Sequence, residues 1–311
     1  MLKTERMDRV RAALRAQGLT QMIVCDPKSV WYLTGVAVEP YERLLALYLP
    51  TEGEPVLFLN RLFNVPEPPC RTVWHTDTDK PVAQIAEVKD AGKPLGIDKE
   101  WPAKFLIPLM ETHPGMQVVL SSDCVDDCRA CKDAEEQTLM REASRINDAV
   151  NEAAKHYIKA GMTEREVAEF IDAQFRAHGC EGPSFTTIVS FGANAADPHH
   201  EPDDTVLRKG DCVLFDMGCV KSRYCSDMTR TWFCGQPTEK QAAVHDLVRR
   251  ANETAEALIK PGVRLCELDA AARDLITEAG YGAYFNHRLG HFIAQTDHEK
   301  GDVSSANTAV A

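Results

Sequence analysis

The chain has 311 residues, 44% of them hydrophobic, enough for about two domains with real cores. Its net charge of −12 argues against nucleic acid or an anionic membrane as a partner. The N-terminus MLKTERMDRVRAALRAQG lacks an apolar signal core, and no run of about eighteen apolar residues follows, so a cytoplasmic protein is expected. In that compartment the eleven cysteines are expected as reduced thiols rather than a disulfide framework.

From Leu2 to Arg15, the apolar positions Met7, Val10 and Leu14 follow helical spacing, and Gly18 is placed to end the helix. Short strands are expected at Met22–Cys25, Leu44–Leu49, Val56–Leu59 and Val118–Leu120, with a turn from Pro50 to Pro55. Helical stretches around Val82–Val88 and Phe105–Met110 alternate with them, which predicts a small α/β domain over residues 1–128. Cys124, Cys128 and Cys131 have the C-x3-C-x2-C spacing of some iron–sulfur sites, but three cysteines among eleven fall into such a pattern by accident.

A second domain is expected over 132–311. Ala134–Ile158 reads as one long helix, and Thr163-x-x-Glu166 and Thr238-x-x-Gln241 are capping boxes opening two more. Leu265–Ala279 reads as a further helix ahead of Gly280. Helices alternating with antiparallel strand pairs predict an α+β class for this part.

The run VLFDMGCVKSRYCSDMTRTW, Val213 to Trp232, places two acids beside apolar strands. Folded about Lys221–Ser222, it sets Asp216 directly opposite Asp227, and facing carboxylates repel. A bound divalent cation relieves that repulsion; side chains turned to solvent also avoid it. Trp232 and Phe233 read as core. Four histidines stand at motif-like positions, His199 and His200 in ADPHHEPDD and His291 and His298 in HRLGHFIAQTDHE.

Together these segments resemble the pita-bread metallopeptidases: Xaa-Pro aminopeptidases, prolidases and methionine aminopeptidases, with creatinase as a metal-free relative. NAADPHHEPDD resembles the family's N-x-A-x-P-H segment, LFDMG and CSDMTRTW its two aspartate strands, and GHFIAQTDHE its GHGIG-x-x-x-HE element. The PHHEP form and the long preceding domain are closer to the Xaa-Pro branch. The resemblance implies a pita-bread catalytic domain preceded by a creatinase-type N-terminal domain, and a homodimer acting on proline-containing peptides. It also implies two divalent metal ions, manganese foremost, with cobalt, iron or zinc as alternatives, that activate a bridging hydroxide for attack on the bond before proline. Asp216, Asp227 and His291 would ligate metal, while His199 and His298 would hold the substrate and the tetrahedral intermediate. His200 and His287 read first as satisfied structural groups, as a lone histidine more often is.

Two further glutamate ligands, in E-P-G and R-x-E-D segments, are expected after the GHGIG element and do not occur before Ala311. Glu299 belongs to the HE pair and is no substitute. The catalytic half is therefore expected to be C-terminally incomplete as written, with residues 1–311 alone less soluble than a version extended to the family's full length and without appreciable X-Pro hydrolysis in manganese or cobalt. Sequencing the coding DNA beyond Ala311 tests that. A creatinase-like, metal-independent amidinohydrolase and a non-catalytic binding protein of the same fold are the alternatives. Metal analysis and a peptide-cleavage assay separate them.

Overall fold

A computed structural model describes residues 2–311, which divide into two compact units, one ending at Cys131 and the other running from Lys132 to Ala311. The first unit holds α1 (Thr4–Ala16), β1 (Gln21–Val24), α2 (Pro27–Thr34), β2 (Ala46–Pro50), β3 (Val56–Asn60) and β4 (Arg71–His75). It continues through α3 (Pro81–Val88), β5 (Leu95–Ile97), α4 (Ala103–Thr112), β6 (Val118–Leu120) and α5 (Asp123–Ala130). Its six-stranded sheet runs β4-β3-β2-β1-β5-β6, antiparallel across β1, β2 and β3 and parallel at both flanks. Alternation along β1 sends Met22 and Val24 into one apolar cluster and Ile23 into another, so this strand is buried on both faces.

Four elements here went unpredicted: α2, β4, β5 and α5. The sequence does announce α2: the Asp26 side chain accepts from the Lys28 and Ser29 N–H groups, Pro27 opens the helix, and Gly35 ends it at φ 74°. The strands β4 and β5 are weaker signals, one mostly half-buried and the other three residues long. Cys124 and Cys128 lie on α5 against the core, where burial pushes the Cys124 thiol up to about 11 and raises that of Cys128. Those are conditions for inert protonated thiols, against cluster ligation. None of the eleven cysteines is joined in a disulfide.

The second unit opens with α6 (Ala134–Tyr157) and α7 (Glu164–Ala177), both started by complete capping boxes. Next come β7 (Gly182–Pro183), β8 (Ile188–Phe191), a 3-10 turn (Gly192–Ala196), β9 (Cys212–Met217), β10 (Cys219–Lys221), β11 (Tyr224–Cys225) and β12 (Met228–Phe233). Two helices, α8 (Glu239–Glu256) and α9 (Leu265–Glu278), precede a hairpin of β13 (Gly290–Phe292) and β14 (Glu299–Val303). Val213, Phe215 and Met217 of β9 pack with Val150, Ile171 and Phe175 of α6 and α7. The period of two therefore turns Asp216 to the other face of the strand, away from that core. Trp232 packs edge-on against Phe215 at 4.6 Å as part of the core.

The predicted register of this hairpin is wrong by two. Asp216 pairs with Thr229, not Asp227, because the chain reverses at Ser222–Arg223, both left-handed at φ 50° and 70°. Such a turn follows strand twist, yet the sequence lacks the Asn-Gly signal that usually marks it. A shift of two preserves the face, so Asp227, two residues before Thr229, stays near Asp216. Gly218 permits this approach: a Cβ there would collide with the Ser226 carbonyl oxygen and the Ser184 hydroxyl.

Candidate functional site

A cavity of about 620 Å³ opens in the second unit, and its lining includes His199, Asp216, Asp227, His287, His291 and His298. Phe185, Ile188, Leu289 and Ile293 give it an apolar side. Each polar group arrives on a different element. Asp216 stands on β9, and Asp227 lies in the two-residue break between β11 and β12. His291 sits at the bulge of the β13–β14 hairpin, an irregularity of the kind that re-aims a side chain. The Cys225 N–H donates to the Ala294 carbonyl at 2.7 Å, tying the segment beyond β13 to the strand that ends beside Asp227.

The electrostatics are those of charge without full compensation. Burial raises the Asp216 carboxyl above the usual range and nearby Asp227 raises it further, against a 2.8 Å hydrogen bond from the Thr229 hydroxyl. Asp227 meets the His291 Nε2 at 3.3 Å, with the two side chains only 25% and 20% exposed. That bond raises the His291 imidazole, with burial opposing it. His298 stacks on His291, ring centroids 3.9 Å apart and 14° from parallel. Burial, then the neighbouring His291, lowers the His298 imidazole. Two carboxylates and an imidazole at one wall are donors suited to a divalent cation, and a cation would remove the cost that keeps Asp216 raised.

His199 is exposed at the rim, its backbone N–H donating to Asp197 Oδ1 at 3.0 Å. His200 turns the other way. Its Nε2 meets Glu164 Oε2 at 2.6 Å, and Glu164, fully buried at the start of α7, also accepts from the Phe191 and Asp203 backbone N–H groups and from Asn194 Nδ2. Glu164, His200 and Asp203 bring ligand atoms within 4.8 Å of one another, a spacing able to hold a metal ion. The four donors on Glu164 favour a structural reading, since its oxygens are already engaged. Neither Glu164 nor Arg288, whose guanidinium reaches His298, was singled out in the sequence, although Arg288 lies within the HRLGHFIAQTDHE run and Glu164 inside the Thr163–Glu166 capping box.

Comparison with known proteins places residues 138–311 in a match to Metallopeptidase family M24 and residues 6–131 in a match to the Creatinase/Prolidase N-terminal domain. An uncharacterized peptidase of Staphylococcus saprophyticus is 36% identical over 317 aligned positions, covering 97% of this chain and 87% of its own. A prolidase from Thermococcus sibiricus superposes with a TM-score of 0.93 at 31% identity, covering 100% of this chain and 87% of that one. An Xaa-Pro dipeptidase from Bacillus anthracis superposes with a TM-score of 0.88 at 26% identity, covering 99% and 86%.

Proposed function

Because the chain belongs to metallopeptidase family M24, we propose that it hydrolyses the peptide bond before proline, using the cavity of the second unit. The observation that carries this reading is the convergence of Asp216, Asp227 and four histidines on one cavity with an apolar side, with Asp297 a third aspartate in its lining. Likeness to a prolidase and an Xaa-Pro dipeptidase supports the substrate class.

Asp216, Asp227 and His291 would hold metal; their mixed carboxylate and imidazole donors suit two divalent ions, manganese foremost, with cobalt, iron or zinc as alternatives. When bound, such ions activate water and polarise a carbonyl. The protein's own contribution is placement. His199 at the rim and His298 beside His291 are positioned to hydrogen-bond the reacting carbonyl and the oxyanion that replaces it, which in other enzymes is worth about 3 kcal/mol per donor. The apolar side receives the proline ring, which has no N–H to satisfy. The chain divides in this reading into a creatinase-like domain over 1–128 and a catalytic domain over 132–311. Eleven cysteines outside any disulfide and a net charge of −12 support a cytoplasmic enzyme with no nucleic-acid partner, and the homodimer rests on family resemblance.

The test is a dipeptide panel with the protein expressed from its complete reading frame, loaded with manganese or cobalt. Cleavage of X-Pro but not X-Ala, lost with a chelator and restored by metal, is expected. Equal cleavage of both dipeptides would sink the proline reading, and cleavage indifferent to chelation would favour a metal-independent hydrolase.

A further inference from the structure

Arg288 lies two residues ahead of the strand that carries His291, and its Nη2 donates to His298 Nδ1 at 2.8 Å. Arginine keeps its charge and offers no acceptor, so this bond has one direction and Nδ1 must present a lone pair. The single proton of the neutral ring then sits on Nε2. An imidazolium, with hydrogens on both nitrogens, could not accept the bond at all. Nε2 meets no protein partner among the described residues, and the ring lines the cavity with its plane held by the stack on His291.

Arg288 is itself held from α9. Asp269, fully buried, forms a two-pronged pair with Arg273 at 2.7 and 2.9 Å. Arg273 also donates to the Phe285 and His287 carbonyls at 2.7 Å each, and Asp269 accepts from the Leu289 N–H at 3.1 Å. The backbone on both sides of Arg288 is thus tied to one buried ion pair. The Arg288 Nε is buried without a partner, a costly arrangement for a side chain with no task beyond the surface.

We propose that Arg288 is a positioning residue that holds His298 as the neutral Nε2–H tautomer, so that the ring meets the substrate carbonyl as a hydrogen-bond donor. The Asp269–Arg273 pair keeps Arg288 in register for that bond. The identity of the acceptor rests on the X-Pro reading above; the tautomer does not.

The experiment uses isotope-labelled histidine in the protein from its complete reading frame, with the His298 signals assigned by their loss in His298→Gln. Nitrogen and carbon shifts should report a protonated Nε2 and a bare Nδ1. Arg288→Met should give a mixture of tautomers, and Arg288→Lys, which keeps a cationic donor, should restore the single form. With an X-Pro dipeptide, Arg288→Met should lower kcat about 10-fold or more while KM and metal content hold, the pattern of an interaction made in the transition state. A protonated Nδ1 in the unmodified protein, or an unchanged tautomer in Arg288→Met, would overturn the proposal. A changed tautomer with kcat unaltered would overturn its link to catalysis. The Nε2–H form in a protein that cleaves no X-Pro dipeptide would uphold the assignment and sink the substrate reading.

Discussion

Glu164 meets His200 at 2.6 Å and Asp227 meets His291 at 3.3 Å, two carboxylate–imidazole pairs in the same unit with opposite surroundings. Around Glu164 every oxygen is engaged: two backbone N–H groups, an asparagine amide and the histidine converge on a carboxylate with no exposure. Beside Asp227 stands a second carboxylate, Asp216, raised by burial and by Asp227 itself. The first pair consumes its bonding capacity in fastening the His199–His200 segment to α7. The second leaves capacity over, and a fold tolerates such a surplus where a cation is to be bound.

The sharpest way to break this contrast is Asp227→Asn, which keeps the side chain's shape and removes its charge. Metal affinity should fall more than about 100-fold, beyond what loss of an outer hydrogen bond to a ligand produces, with the thermal midpoint little changed. Calorimetric metal titration checks it; an unaltered stoichiometry and affinity would remove Asp227 from the cage. His298→Ala should instead keep its metal and lower kcat about 10²–10³-fold, whereas His291→Ala should lose metal first. Metal analysis beside steady-state kinetics distinguishes them, and loss of metal in His298→Ala would move that ring among the ligands.

On the other side of the comparison, Glu164→Gln should cost about 1–3 kcal/mol of stability, because the amide NH2 must face either the Phe191 N–H, on one oxygen, or the Asp203 N–H, on the other. Metal binding at the cavity should survive, as read by denaturant unfolding and titration together. Metal lost in this variant, and kept in Asp227→Asn, would exchange the roles assigned to the two pairs. The smallest effect is expected from Thr229→Val, which removes one hydrogen bond from Asp216, worth about 0.5–1.5 kcal/mol, and should appear as a few-fold weaker metal affinity. No change at all would mean that Thr229 packs beside Asp216 without orienting it.

What was legible in the sequence follows from where the physics is local. Capping boxes at Thr163–Glu166 and Thr238–Gln241 state their helix starts within four residues, and both are complete in the structure. The aspartates and histidines stood out because their chemistry is odd beside apolar strands. The pairing of Asp216 with Thr229 was not legible, since the register depends on two left-handed residues, Ser222 and Arg223, of types that seldom adopt that conformation. Nor was the role of Glu164, whose four donors come from residues 27 to 39 positions away. Arg288 is a harder case still: it acts on a ring ten residues on, across a hairpin whose strands carried no clear alternation.

Gly218 has a consequence for ion discrimination. Main chain lies against main chain there, with no room for one added carbon, and Asp216 and Asp227 stand two residues before Gly218 and one after Ser226. The gauge between the two carboxylates is consequently set by hard backbone contact rather than by adjustable rotamers. If Asp216 and Asp227 hold a cation as proposed, a site gauged in that way would resist stretching around a larger one, and selection by ionic radius would become a matter of mechanical stiffness in the strands.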